Sequence, residues 1–348
     1  MRDRIIAVVI VVTGLFLFFV SQNYYTVVDS LTTTEGARDA VREGSSFTGM
    51  DVAAGVAKWS TYARGGDGVV RNAYYCSPDG VCGGRDGADI SNNVMLHSLY
   101  RRMAESDSSY HDDAVGELEF LRKVCAESAP PSCTSYYLIA MSDGGDSDAA
   151  LSEAGDMFIN SNYTASMQDT IKILSAVYKA DPDPATLDLA EYFLGEFKKL
   201  TAGNNERIRY SGGVGLFDCA VRNSEMDVYS MSGDPALLES VKSFFDRRSV
   251  VEAVGEMDSS LQVIECAEAA SKLADATGDA AYDGVSLEIT RRLVSSFWDA
   301  DGRGLSHSNN GFASGALSKD VQGTEETLRA GSLATRFPDE VLLEVTSN

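Results

Sequence analysis

The chain has 348 residues, 44% of them hydrophobic, enough to bury one large core or two ordinary ones. Its formal charge of −23 denies it the basic face that phosphate binding needs, which excludes nucleic acid as a partner. A mean hydropathy of −0.12 excludes a polytopic membrane protein.

The first element is an apolar run. Residues 5–20 read IIAVVIVVTGLFLFFV, without a charge, and Ser21 and Gln22 extend the run to the length of a spanning helix. Tyr24 and Tyr25 follow where interfacial aromatics anchor a span, and no small-x-small site follows as a cleavable signal peptide requires. Residues 5–22 are therefore expected to form a signal-anchor. Arg2 and Arg4 precede it, which places the tip, residues 1–4, in the cytoplasm and the body outside. Residues 23–45 are polar and read as a stalk.

Six cysteines suit an extracytoplasmic body. Cys76 and Cys82 bracket one short loop, Cys125 and Cys133 another, and each pair is expected to close a local disulfide. Cys219 and Cys266 lie in apolar helical surroundings, as buried thiols or a third bridge. Without a CxxC, zinc is not expected. Asn162 opens the sequon Asn162-Tyr163-Thr164, a glycosylation acceptor if the host glycosylates.

A repeat runs through the remainder. Asp107, Asp148, Asp183, Asp234 and Asp279 each begin a segment such as DPATLDLA or DPALLESV, at intervals of roughly 40 residues. Asp followed by proline or a small residue, then an acid, is the chemistry of a helix start. Each of these starts is preceded by a stretch with apolar residues three and four apart, such as QDTIKILSAVYKA from Gln168. The unit is helix, tight turn (SGD or TGD), helix. Longer glycine-rich links, such as CSPDGVCGGRDGAD and WDADGRGLSHSNNGF, join the units. Almost nothing alternates as a strand does, so the body is expected to be an all-α array of hairpins, closed into a ring or stacked as an open solenoid.

The TGD-type turns, the small residues of the second helices and the tail FWD followed by glycines resemble the α/α-toroid proteins of the six-hairpin glycosidase superfamily. The resemblance covers residues 46–315 and implies an incomplete or full six-hairpin barrel. Five hairpins are visible, and MDVAAGVAKWSTYARG from Met50 is a poorer match for a sixth. Residues 316–348 break the pattern and read as an extension that docks as a last helix or frays.

The resemblance implies an active-site funnel where the first helices of the hairpins begin, with two carboxylates as acid and base. Asp89, Asp258 and Asp218 are the catalytic candidates, because each follows a glycine-containing link at a helix start. Trp298, Tyr210, Arg209, Asp169 and Asp299 are expected to share that rim as substrate-binding residues. Capping alone also places Asp at helix starts. Calcium at Asp299 and Asp301 is not expected, since Arg303 and Asn310 occupy positions where an EF-hand loop needs ligands. His97 is expected to pack within its helix and His111 to be exposed. No Walker loop, no GxGxxG after a strand and no GxSxG elbow occurs, which speaks against a nucleotide cofactor and a hydrolase elbow. Two functions follow: a membrane-anchored carbohydrate-active enzyme, hydrolase or lyase, acting on polysaccharide, or a non-catalytic surface protein that binds glycan or assembles with envelope partners.

Overall fold

Asp183, Asp234 and Asp279 cap helices as their place in the repeat predicts. Their side chains accept the backbone N–H groups of Ala185, Ala236 and Ala281 at 3.3, 2.9 and 2.9 Å. Pro184 and Pro235 occupy first helical positions. Gly233 and Gly278 end the preceding helices, each at φ 66°, where a side chain would be strained. Ser232 Oγ and Thr277 Oγ1 accept the N–H groups of Asp234 and Asp279 at 3.1 and 3.3 Å. Three residues thus stop one helix and start the next.

The computed structural model describes residues 45–76, 82–88, 90–128, 167–180, 182–298 and 321–344. From the N-terminus the described helices are α1 (Gly49–Ala63), α2 (Ile90–Ser106), α3 (His111–Ser128), α4 (Met167–Ala180), α5 (Pro184–Arg207) and α6 (Asp218–Ser232). They continue with α7 (Pro235–Phe245), α8 (Arg248–Val254), α9 (Ser260–Thr277), α10 (Ala280–Phe297) and α11 (Thr324–Ala334). Helices α2, α4, α6, α9 and α11 surround a central cavity. Helix α3 backs α2, α5 backs α4, α7 backs α6, α10 backs α9, and α1 backs α11. Leu96, Leu99, Leu273, Ile289 and Leu293, fully buried, fill the space between the two layers. The hairpin starting at Asp148 lies outside the described residues.

The described lining helices pack in the order α4, α6, α9, α11, α2, so the last described helix stands between α9 and the first described lining helix. An open solenoid would hold those ends apart; here the array curls back on itself. Strand β1 (Ser46–Thr48) pairs antiparallel with β5 (Val341–Glu344), Phe47 opposite Leu343, and joins the two ends of the body. Gly49 lets α1 approach this closure: a Cβ there would lie 2.2 Å from the Phe337 carbonyl oxygen and 2.3 Å from that of Ala334. On α11, a Cβ at Gly331 would meet Val56 of α1 at 3.0 Å.

Three features extend or depart from the reading of the sequence. The link CSPDGVCGGRDGAD is not all loop: β2 (Arg71–Cys76) and β3 (Cys82–Ala88) form a hairpin, and β4 (Val321–Gly323) adds to β2. Its glycines and cross-strand Cys76 and Cys82 hid the strand pattern, because backbone pairing needs no alternation of apolar residues. The stretch after residue 315 docks as a helix, one of the two courses expected of it, and that helix, α11, lines the cavity. The segment from Met50 forms α1, which pairs with α11 from the far end of the chain rather than with a neighbour in sequence. No helix among the described residues is long and apolar enough to cross a membrane. The apolar run 5–22 lies outside the described residues.

Candidate functional site

Polar stripes on the lining helices make the central cavity. On α9, Glu265, Glu268, Lys272 and Asp275 recur three and four residues apart, while Ile264, Cys266, Ala267, Ala270 and Leu273 bury the rest of the helix. The same spacing puts Asp169, Lys172 and Lys179 on one face of α4. It puts Glu325, Arg329, Ser332 and Arg336 on one line through α11 and the turn after it. Residues from these stripes, with Asn72, Ser91, Asn92, Arg101, Arg102 and Asp227, line a cavity of about 760 Å³. Seven of the lining side chains are Lys or Arg and six are Asp or Glu, so the walls carry mixed and nearly balanced charge inside a strongly acidic chain. No aromatic side chain lines it among the described residues.

Arg329 organises the middle of the cavity. Its Nε and Nη2 donate to the two oxygens of Glu268 at 2.8 and 2.7 Å, its Nη1 to Glu325 Oε1 at 2.9 Å, and its Nη2 also to Glu265. Asn223 Nδ2 donates to Glu265 and Glu268 at 2.6 and 2.8 Å, and Gln168 Nε2 to Glu265 at 2.5 Å. Lys172 Nζ stands 3.7 Å from Glu265. Burial by itself would raise the carboxyls of Glu265 and Glu268, but Arg329 and Lys172 outweigh it and hold both below the usual range, Glu268 far below. The same acids hold the Arg329 guanidinium charged against the desolvation that opposes it. Such a cluster is braced and ionised, and poorly suited to move protons.

Glu325 differs. It sits in the first turn of α11, lines the cavity, and leaves half its side-chain surface exposed. Enclosure by the cavity walls raises its carboxyl above the ordinary glutamate range; Arg329 and Lys172 oppose this, and the charges of Glu326 and Asp169 add to it. Asp169, in the first turn of α4, lines the same cavity. Two helix starts therefore present carboxyls to one mouth, and one of them keeps its proton to higher pH than a free glutamate does.

Of the rim residues expected from the sequence, the cavity contains Asp169; Asp218, Asp258, Arg209, Tyr210 and Trp298 stand elsewhere. Asp218 organises the link before α6: its oxygens accept from Asn205 Nδ2 at 2.9 Å and from the Gly215 N–H at 2.7 Å. Arg209 forms a β-bridge with Gly215 across that link. Tyr210 donates to Gln262 at 2.9 Å; burial and then the charge of Asp258 raise its hydroxyl, with the Gln262 bond opposing. Asp258 and Tyr210 are thus neighbours on the links before α6 and α9. Trp298 packs into the core against Gly55 and the α10 and α11 sides rather than standing at a cleft. Asp89, Asp299 and Asn162 lie outside the described residues.

The cysteines divide by place. Cys219 and Cys266, both buried, form a disulfide joining α6 to α9. Cys76 and Cys82 sit opposite each other in the β2–β3 register, and Cys125 is disulfide-bonded. Cys133 lies outside the described residues. His97 is buried, its Nδ1 donating to the Ala114 carbonyl at 2.9 Å, and His111 is exposed, as the sequence implies.

Paired helices around a polar cavity, returning on themselves, define an α/α toroid. Among solved structures the chain is similar to the unsaturated glucuronyl hydrolase from Bacillus sp. GL1, an enzyme responsible for the degradation of glycosaminoglycan. The likeness has a TM-score of 0.58 and 13% sequence identity, over 86% of this chain and 97% of that one. It shows the fold. No protein-family model and no curated protein matches the chain.

Proposed function

We propose that the chain is a membrane-tethered, extracytoplasmic carbohydrate-active enzyme, a glycoside hydrolase or lyase that works on polysaccharide inside the central cavity. The observation that carries this reading is the cavity: a toroid lumen with charged, water-accessible walls instead of an apolar plug. A structural neighbour that degrades glycosaminoglycan supports the substrate class. Cavity cations such as Arg102 and Lys179 suit a substrate bearing carboxylate or sulfate groups. In this reading Glu325 is the general acid, because a carboxyl that holds its proton can deliver it to a leaving oxygen. Asp169 is the partner carboxylate. Asp89, one residue ahead of α2, is kept as a third candidate, since Ser91 and Asn92 of that helix line the cavity.

Residues 5–22 anchor the body, with Arg2 and Arg4 holding the tip in the cytoplasm. The buried Cys219–Cys266 disulfide supports a body that folds in an oxidising compartment. The test is a panel of defined acidic and neutral oligosaccharides scored for cleavage by the wild type and by Glu325→Gln, Asp169→Asn and Asp89→Asn. Loss of a proton-transferring carboxyl is expected to slow turnover by about 10²–10⁴-fold. Turnover indifferent to all three changes would remove the assignment. Binding without turnover would favour the second reading, a non-catalytic glycan-binding or envelope-assembly protein. That reading draws support from the full pairing of Glu265 and Glu268 and from the lack of cavity-lining aromatics among the described residues.

A further inference from the structure

Helix α6 carries buried polar atoms that the protein itself leaves without a partner. Asp227, 8% exposed, lines the cavity; its Oδ1 accepts from Lys272 Nζ at 2.6 Å, while its buried Oδ2 has no hydrogen-bond partner. One turn earlier on the same face, Asn223 commits its Nδ2 to Glu265 and Glu268, which leaves its Oδ1 buried and unpartnered. A buried acceptor without a donor is costly to keep, so a cavity wall built around one is suited to a donor from outside the protein.

The surroundings decide the chemistry of that donor. An anion would meet Asp227 and Glu268, and a free cation would meet Lys272, Lys172 and Arg329. A neutral group that both donates and accepts satisfies both sides. Lys272 has three ammonium protons and gives one to Asp227, so it can donate to an oxygen next to the hydroxyl that Asp227 accepts. Two adjacent sugar hydroxyls have this pattern.

We propose that Asp227 and Lys272 form a diol-recognition subsite in the cavity, with Asp227 Oδ2 accepting one sugar hydroxyl and Lys272 donating to its neighbour. The inference rests on the cavity being a carbohydrate site, and it adds a specificity-determining pair that does no chemistry. The test uses the full chain in detergent micelles with methyl glycosides of glucose, galactose and mannose at millimolar concentration, followed by ligand-observed NMR. At least one glycoside is expected to bind. Asp227→Asn and Lys272→Gln are each expected to weaken it by about tenfold or more, with melting temperatures recorded so that a misfolded variant is recognised. A deoxy analogue lacking the recognised hydroxyl is expected to bind wild type and Asp227→Asn equally. Binding that ignores both substitutions overturns the subsite and leaves the carbohydrate reading standing. Binding that responds to them without cleavage of any oligosaccharide supports the subsite while the catalytic reading fails. Failure of all three glycosides to bind, or a water at Asp227 Oδ2 that a bound sugar does not displace, overturns the subsite.

Discussion

The charge balance of the cavity turns on Arg329. Its guanidinium contacts Glu265, Glu268 and Glu325, and its side chain is only 9% exposed. Removing one partner from a buried pair leaves uncompensated charge, at a cost of about 3–5 kcal/mol. Arg329→Leu is therefore expected to lower stability by that order at neutral pH. The pH dependence has a definite sign. Glu265 and Glu268 titrate below their unfolded values in the wild type, so the stability they contribute is complete above the ordinary glutamate range. It is lost as pH falls through their lowered folded values. In Arg329→Leu the desolvated carboxylates prefer a proton, so the gap between variant and wild type should close on acidification. Urea melts at several pH values measure the gap, and a gap independent of pH would refute the paired cluster.

Local chemistry shapes the hairpins with little help from the surroundings. Gly278 ends α9 in the left-handed region, and a Cβ there would meet nothing within 4 Å. Gly278→Ala should therefore express only the backbone cost, about 1 kcal/mol. Gly49→Ala is different, because its Cβ would lie 2.2 Å from a carbonyl oxygen of the turn after α11. It should cost clearly more, by prying α1 from the closure. Chemical denaturation of both variants separates a conformational penalty from a packing one; equal penalties would contradict the close approach. The polar stripes of α4, α9 and α11 were equally available to inspection. Glu265, Glu268 and Lys272 on an alanine-rich helix buried on its other sides are a signal for a polar lumen, and they lie along the helix rather than at its start.

Closure joins segments that lie far apart in the chain. The Cys219–Cys266 disulfide spans 47 residues and ties α6 to α9, beside the Asn223 bonds to Glu265 and Glu268. Replacing both cysteines with serine is expected to cost about 2–4 kcal/mol, seen as a lower melting temperature that responds less to reductant than the wild type's does. An unchanged melting temperature would show that packing alone holds the two helices. The same tie transmits to the cavity wall, because α6 and α9 carry Asp227 and Lys272.

The repeated aspartates, prolines and glycines announced paired helices correctly at Asp183, Asp234 and Asp279. Those features are readable because capping and turn geometry are settled within about four residues, inside the reach of a local pattern. The cavity is of another kind. Gln168 meets Glu265 across 97 residues and Arg329 meets it across 64, and nothing in either neighbourhood names the other. The partnership of α1 with α11 is likewise invisible until the array bends through its full turn. Long-range charge pairing depends on which helix faces reach the same side of the ring, and that is set by the packing of every helix between them.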